Sequence, residues 1–225
     1  MKVKLLNYTP NPEKTVYLAA RQCFSQNFPE GGNQEDWEKL IKFLISHQHF
    51  SPFEHISFTF SIQEISRVCS HQLVRHRLAS YSQQSQRRVS FEEFDWITPP
   101  KIARQTLARE TFQKCISQIQ DAIAGLYCLK IPIEDIRYLL PQAVTTKIIV
   151  TMNARELFHF FEERLCKKAQ WEIRSLANKM LQLCLDVSPI IFSHCGPKCA
   201  RLKYCPEGKR CEYFSFWKEK KWYVG

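Results

Sequence analysis

The sequence predicts an α+β fold, in which a mixed or antiparallel sheet of few strands is packed against long helices. Residues 56–62 alternate apolar and polar side chains with the period of a half-buried strand. Other, longer segments repeat apolar residues every three or four positions, as amphipathic helices do. The chain has no internal repeat or low-complexity linker. Its length allows one sizeable core or two small ones, and we expect a single domain over residues 1–225.

The first half of the chain is predicted to contain two strands and three helices. Residues 3–8 are typical of a strand and residues 12–24 of a helix. A turn then leads into a helix at about residues 35–47, whose buried stripe is Trp37, Leu40, Ile41, Leu44 and Ile45. The alternating strand follows, and a helical pattern begins at residue 65 and ends near Arg77.

The second half is predicted to be mainly helical. A turn at Thr98-Pro99-Pro100 precedes a long helix with the buried face Phe112, Cys115, Ile116, Ile119, Ala122, Ile123 and Leu126. A short helix at residues 134–140 and a buried strand at residues 143–152 come next. Asn153 is placed to cap the following helix, with Glu156 completing a capping box. That helix should break near Lys167, before a last helix at residues 169–187.

Composition and charge leave several classes of protein open. No run of about 18 uncharged apolar residues occurs, and the first residues lack signal-peptide features, so we expect a cytoplasmic protein. The net charge of +10 fits a nucleic-acid surface, a site for highly anionic small molecules, or solubility alone. We find no zinc-finger spacing, RNP-type strand or obvious helix-turn-helix motif in the sequence.

Residues 75–88 are the strongest candidate for a binding site. They contain four arginines, one histidine and six Ser or Gln side chains, with almost nothing apolar. Guanidinium groups match phosphate oxygens in pairs, while Ser and Gln can complete the oxygen shell or contact the edge of a base. On a helix that ends near Arg77, the side chains of Gln72, Arg75 and His76 can face one ligand. The alternative is an exposed helix end with solvated arginines.

Five segments, in this order along the chain, resemble the motifs of flavin-dependent thymidylate synthases. They are His47-Gln48-His49-Phe50-Ser51-Pro52-Phe53-Glu54-His55, then Arg75-His76-Arg77 with Ser85 and Arg87, then Arg137-x-x-Leu140-Pro141, then Met152-Asn153-Ala154-Arg155-Glu156-Leu157, and Arg164 followed by Ala169-Gln170-Trp171-Glu172-Ile173. The resemblance implies reductive methylation of dUMP to dTMP. It also implies 5,10-methylenetetrahydrofolate as carbon donor, FAD as redox cofactor and NADPH as reductant.

The resemblance further assigns residues to each ligand. It assigns to FAD the residues His49, Ser51, Arg75, His76, Arg77, Gln83, Asn153, Ala154, Arg155 and His159. It assigns to dUMP the residues Gln72, Leu73, Val74, Arg75, Gln83, Gln84, Ser85, Gln86, Arg87, Arg137 and Arg164. The amides at the start of the helix after Asn153 are expected to be free for an anionic partner. Some members have Glu where this chain has Gln83.

The implied chemistry suits these residue types. Transfer of a one-carbon unit to uracil requires a nucleophilic C5, and a guanidinium beside the pyrimidine carbonyls can stabilise the enolate-like charge that develops. Arg164 is the catalytic candidate, acting as an electrostatic stabiliser because arginine stays protonated. Ser85 has no His and acid partner identifiable from sequence, so we interpret it as a nucleotide ligand and not as a nucleophile.

The resemblance also implies a homotetramer with sites shared between subunits, in which Arg137 and Arg164 come from a different chain than Ser85 and Arg87. Small-molecule ligands are then the expected partners, without membrane or nucleic acid. Two alternatives stay open: a basic nucleic-acid-binding protein, and a flavoprotein of the same fold without synthase activity.

A cysteine-rich tail occupies about residues 190–225. Cys195, Cys199, Cys205 and Cys211 are separated by three, five and five residues, with Gly and Pro between them. Four such thiols could hold zinc, with His194 as a possible substitute ligand, although common structural sites use tighter pairs. Free thiols and a disulfide are the alternatives. We assign the tail no catalytic role.

Overall fold

The computed structural model describes residues 1–208 and residue 211. Four strands form one antiparallel sheet in the order β1-β2-β4-β3, where β1 is Lys2–Tyr8, β2 is Ser57–Ser66, β3 is Ala79–Gln83 and β4 is Thr145–Asn153. The Thr9 amide donates to the Ser57 carbonyl at 3.0 Å, whereas the Met1 ammonium lies 3.2 Å from Glu64. The end of β1 therefore lies beside the start of β2, and the start of β1 lies beside the end of β2, as in an antiparallel pair. The predicted α+β class is confirmed.

Ten α-helices occur among the described residues. They are α1 Pro12–Gln22, α2 Gln34–Ser46, α3 Arg67–Leu73, α4 Pro100–Ala103, α5 Thr106–Cys128, α6 Ile133–Ile136, α7 Ala154–Arg164, α8 Trp171–Val187, α9 Pro189–Phe192 and α10 Lys198–Leu202. Two 3₁₀ helices, Ser51–His55 and Arg137–Leu139, complete the helical content. Within the same part of the chain, no helix has both the length and the apolar character that crossing a membrane requires.

The chain divides into two compact units, which we describe separately. The first unit consists of Met1–Lys2, Ile62–Arg75 and Tyr81–Ile149. The second consists of Val3–Ser61, His76–Ser80 and the described residues from 150 onward. A single domain over the whole chain stays a prediction.

The core of the first unit lies on one narrow stripe of α5. Ile116 and Ile123 of α5 are buried with Phe91, Phe94, Ile136 and Val144, while Phe112, Ile119 and Leu126 are partly buried against them. The prediction that Cys115 and Ala122 belong to this face is wrong, because both are exposed. Each precedes a buried isoleucine by one residue, which turns it about 100° around the helix toward solvent.

The core of the second unit is aromatic. The inward residues of β2 in this unit, Phe58 and Phe60, are fully buried, which confirms the predicted alternation. Phe58 meets Phe192 of α9 edge to face, with ring centroids 5.1 Å apart. Helix α7 contributes Phe160 and Phe161, also fully buried. These contacts fix one face of α7 firmly, which positions the polar residues on its remaining surface.

Several predicted boundaries differ in the structure. Helix α3 ends at Leu73 and not near Arg77, because the Tyr81 hydroxyl donates to the Leu73 carbonyl at 2.9 Å and the chain turns there. Strand β2 continues to Ser66, whose side chain then caps α3 by accepting from the Cys69 amide. Part of the polar segment at residues 75–88 is strand β3. The turn predicted at Thr98-Pro99-Pro100 leads directly into α4.

Candidate active site

His76 is the buried member of the Arg-His-Arg segment. Its side chain is 3% exposed, whereas Arg75 and Arg77 on either side are exposed. The Arg164 Nε donates to His76 Nε2 at 3.0 Å. Because Nε2 accepts, the imidazole proton is on Nδ1, which lies 3.4 Å from Oε1 of Glu156. The histidine therefore anchors the segment and holds the guanidinium of Arg164 in place.

The surroundings of His76 keep its ring neutral. Burial and then the positive charge of Arg164 lower the pKa of His76 from 6.5 to about 4, with a smaller contribution from His159. Glu163 acts in the opposite direction. Burial also raises the pKa of Glu156. A neutral imidazole is the form that can accept a hydrogen bond from Arg164, so this hydrogen bond is maintained at neutral pH.

The start of α7 is capped as predicted, but only in part. The Asn153 side chain accepts from the Glu156 amide at 2.9 Å. The Glu156 carboxylate faces His76, however, and is not the reciprocal acceptor that a capping box needs. The expectation of free amides at this helix start also needs correction, because the Ala154 amide donates to the Ile56 carbonyl at 3.0 Å. Two of the expected N–H groups are therefore already used.

Eight of the ten residues assigned to FAD lie in the second unit. They are His49, Ser51, His76, Arg77, Asn153, Ala154, Arg155 and His159, while Arg75 and Gln83 lie in the first unit. Ser51 is exposed at the start of its 3₁₀ helix, and the exposed His49 ring stacks against Phe43 with centroids 6.2 Å apart. Arg155 pairs with Glu54 of the same 3₁₀ helix.

All residues assigned to dUMP except Arg164 lie in the first unit. This unit contains a cavity of about 440 Å³, whose lining includes Arg67, Ser70, Gln83, Gln86 and Arg137. Burial lowers the pKa of Arg67. Cationic and amide groups around one cavity suit an anionic ligand with hydrogen-bonding edges.

Gln83 has a definite position in this cavity. Its Nε2 donates to Ser70 Oγ at 2.9 Å and to Thr146 Oγ1 at 3.1 Å. Both hydroxyl-bearing residues are buried, so the half-buried amide of Gln83 satisfies two hydroxyls that have little access to water. A glutamate at this position could not donate in that way when ionised.

The loop after β3 is held by local contacts and by one ion pair. Ser85 Oγ accepts from the Arg87 amide at 3.2 Å, and Arg87 Nη2 lies 2.8 Å from Oε2 of Glu134. Arg137 Nε donates to the carbonyl of the same Glu134 at 3.0 Å. One acidic residue thus positions two arginines that the sequence assigned to the nucleotide. Sharing of the site between subunits stays a prediction.

Three residues of these sites escaped the sequence analysis. Arg67 lines the cavity, Glu134 positions arginines, and Glu156 faces His76. Only Arg67 could have been found from the sequence, because Arg67, His71 and Arg75 are spaced four residues apart and so share one face of a helix. In the structure Arg75 Nη2 and His71 Nε2 lie 3.3 Å apart. Glu134 reaches Arg87 across 47 residues and Glu156 reaches His76 across 80, and no local pattern reveals such contacts.

The four tail cysteines predicted to bind metal are all described. Every cysteine of the chain is a free thiol in the structure, so no disulfide joins them. Within residues 1–208 and 211, no group of three or more His, Cys, Asp or Glu side chains is arranged to hold a metal ion. A site built from Cys195, Cys199, Cys205 and Cys211 therefore stays a prediction.

The fold and the two polar sites describe an α+β protein whose arginines are held in place by hydrogen bonds and ion pairs. The family model for thymidylate synthase complementing protein matches residues 4–190. A flavin-dependent thymidylate synthase from Nitratidesulfovibrio vulgaris is 44% identical over 93% of this chain and 92% of its own length. Those from Clostridium tetani and Geobacter sulfurreducens are 45% and 47% identical, each over 92% of this chain and over 91% and 92% of their own lengths. The chain belongs to the thymidylate synthase complementing protein family, and it is an enzyme.

Proposed function

We propose that this enzyme converts dUMP to dTMP by reductive methylation. In this proposal 5,10-methylenetetrahydrofolate donates the carbon, FAD is the redox cofactor and NADPH is the reductant. Membership of the family and the names of the relatives support synthesis of dTMP with a flavin. The folate and NADPH rest on the five motifs that the sequence shares with flavin-dependent thymidylate synthases.

The fixed guanidinium of Arg164 is the observation that carries the proposal. Arginine side chains are flexible, but this one donates to a buried, neutral His76 at 3.0 Å, and α7 holds its backbone. A cation that is already oriented costs no reorganisation when negative charge develops on the pyrimidine carbonyls. Arg164 thus stabilises the enolate-like charge at the uracil ring, and His76 is a positioning residue.

The cavity of the first unit and the loop after β3, in the same unit, supply the nucleotide site in this proposal. Arg87, Ser85 and Arg137 hold the phosphate, because guanidinium and hydroxyl groups match its oxygens. Residues 72–75 and 83–86 contact the nucleoside. Gln83 also has an indirect role, since its amide donates to Ser70 and Thr146 and thereby keeps this wall of the cavity in shape.

The residues of the second unit fit a flavin nucleotide. Its diphosphate is anionic, and this unit exposes the cations Arg77 and Arg155, the hydroxyl of Ser51 and the histidines His49 and His159. When bound, FAD supplies the electrons that reduce the transferred carbon. We infer that the Ala154 amide does not contact the cofactor, because the Ile56 carbonyl already accepts from it. A homotetramer and a cytoplasmic location belong to the same proposal and rest on the family resemblance and on the sequence.

Purified protein tests the proposed function directly. We expect yellow protein that oxidises NADPH faster when dUMP is added, and that forms dTMP once methylenetetrahydrofolate is also present. Colourless protein that cannot be reconstituted with FAD would refute the proposal. Flavin binding without dTMP formation would identify a flavoprotein of this fold that lacks the synthase activity.

A further inference from the structure

Arg67 differs from the other half-buried arginines of the described residues. There are four others, and each donates a side-chain hydrogen bond: they are Arg137, Arg164, Arg174 and Arg201. Within the part of the chain that the structure describes, the guanidinium of Arg67 has neither a hydrogen bond nor an ion pair. Its charge is therefore partly removed from water and is not compensated by the protein.

The cavity of the first unit contains this guanidinium. Arg67 lines the cavity together with Arg137, and no aspartate or glutamate is among the described residues of its lining. Burial lowers the pKa of Arg67, but an arginine stays protonated in a protein, so both guanidiniums carry their charge. A partly desolvated cation without a counter-ion is unfavourable, and a ligand that brings an anion removes this cost.

The backbone of Arg67 is held in place although its guanidinium is not. The Arg67 amide donates to the Val144 carbonyl at 3.1 Å. The Arg67 carbonyl accepts from the Ser70 hydroxyl at 3.1 Å, and this hydroxyl accepts from the Gln83 amide at 2.9 Å. The structure thus fixes where the side chain of Arg67 begins and leaves its charged end available to a ligand in the cavity.

A phosphate monoester has the chemistry that this arrangement requires. It carries about 1.5 to 2 negative charges at pH 7 and has three oxygens that guanidinium groups bind in pairs. Arg137, which is already proposed as a phosphate ligand, supplies the second guanidinium of the cavity. A nucleoside without phosphate would leave the charge of Arg67 uncompensated.

We propose that Arg67 is a specificity-determining residue that selects the phosphorylated nucleotide over its nucleoside. This inference rests on the proposed function, because it takes dUMP as the ligand of the cavity. The phosphate of dUMP supplies the counter-ion that Arg67 lacks in the free protein. The family resemblance assigned no ligand to Arg67.

Binding of dUMP and of deoxyuridine to the FAD-loaded enzyme, measured by calorimetry, tests the proposal. Arg67→Met keeps an unbranched side chain and removes its charge. We expect this variant to bind dUMP about 10- to 100-fold more weakly, whereas its affinity for deoxyuridine should change by less than about twofold. Arg67→Lys keeps the charge without the paired donors, so its loss of affinity for dUMP should be smaller. Arg109→Met, at an exposed position on α5, is the control and should bind both ligands as wild type does.

The stability of the ligand-free protein provides a second measurement. Removal of an uncompensated, half-buried charge should leave the Tm of Arg67→Met equal to that of wild type or raise it. Arg174→Met is the matched variant, because Arg174 is also half-buried but donates to the Lys167 carbonyl, and its Tm should fall. Added dUMP should raise the Tm of wild type much more than that of Arg67→Met.

The possible failures are distinguishable. Unchanged affinity of Arg67→Met for dUMP, or an equal loss of affinity for dUMP and deoxyuridine, would overturn the proposal. So would a ligand-free Arg67→Met whose Tm falls as far as that of Arg174→Met, because Arg67 would then be structural. In each case a wild-type enzyme that forms dTMP leaves the proposed function standing. Wild-type protein that does not bind dUMP would refute the proposed function and this inference together.

Discussion

Arg164 donates its Nε hydrogen to Nε2 of His76 at 3.0 Å, across 88 residues of sequence. The histidine is buried and its pKa is lowered to about 4, so it accepts this bond as a neutral ring. The contact turns a mobile side chain into a fixed cation. It also links the Arg-His-Arg motif to the arginine at the end of α7, two motifs that are separate in the sequence.

Replacement of Arg164 by alanine is expected to reduce the rate of dTMP formation by about 100- to 1,000-fold, because a preorganised donor to the developing charge is lost. Bound FAD and the thermal stability should change little. Arg109→Ala removes an equal charge from an exposed position on α5 and should keep full activity. Turnover of the Arg164 variant within a few-fold of the wild-type rate would show that another group stabilises the charge.

A positioning role for His76 predicts different outcomes for two substitutions. His76→Gln retains a carbonyl oxygen that can accept from Arg164, whereas His76→Ala leaves the guanidinium without this acceptor. We expect kcat to fall much further in the alanine variant, while KM for dUMP changes less than kcat in both. A glutamine variant as slow as the alanine variant would mean that the imidazole itself, and not the hydrogen bond, is required.

The depressed pKa of His76 makes folding depend on pH. In the unfolded chain His76 binds a proton near its ordinary pKa of 6.5, but the folded protein does not do so until about 4. The contribution of His76 to the free energy of unfolding should therefore be fully present above pH 6.5, and it should decrease as the pH drops toward 4. Urea unfolding at several pH values should show a steeper fall for wild type than for His76→Gln. The other charged groups around the site, Glu156, Glu163, His159 and Arg164, are present in both proteins, so parallel curves would contradict the assignment.

The sequence predicted what depends on local patterns. The alternation in β2 fixed which of its side chains are buried, and Asn153 was correctly identified as the cap of α7. The class of fold and the family motifs could be predicted in the same way. Each of these features depends on residues within one turn or one strand.

Features that depend on distant partners could not be predicted. Strand β3 is made of Ala, Ser, Tyr, Ser and Gln, and its two apolar side chains, Ala79 and Tyr81, are too few to predict a strand. Its position in the sheet beside β4 defines it as one. The end of α3 depends on the Tyr81 hydroxyl. Burial of His76 depends on α7, whose residues lie some 80 positions later in the chain. The Arg-His-Arg segment by itself does not indicate that its histidine is buried while both arginines are exposed.

Gln83 is expected to contribute to stability through its two donated hydrogen bonds. Gln83→Ala leaves the buried hydroxyls of Ser70 and Thr146 without this donor, and we expect a loss of about 1–2 kcal/mol in the free energy of unfolding. Gln84→Ala is the control, because the Gln84 backbone amide keeps its bond to the Lys147 carbonyl. Equal losses in the two variants, measured by urea unfolding, would show that the amide of Gln83 has no special role.

Arg87 and Glu134 give a matched pair of variants that separates nucleotide binding from loop structure. Their ion pair is exposed, with side-chain exposures of 63% and 51%, so breaking it should cost less than about 1 kcal/mol of stability. Arg87→Ala removes a proposed phosphate ligand and should weaken dUMP binding about 10- to 100-fold, with FAD still bound. Glu134→Gln breaks the same pair but leaves the Arg87 guanidinium available, so affinity for dUMP should stay equal or increase. Calorimetric titration of both variants distinguishes the two roles. A similar loss of affinity in both would mean that the ion pair shapes the loop and that Arg87 does not contact the nucleotide.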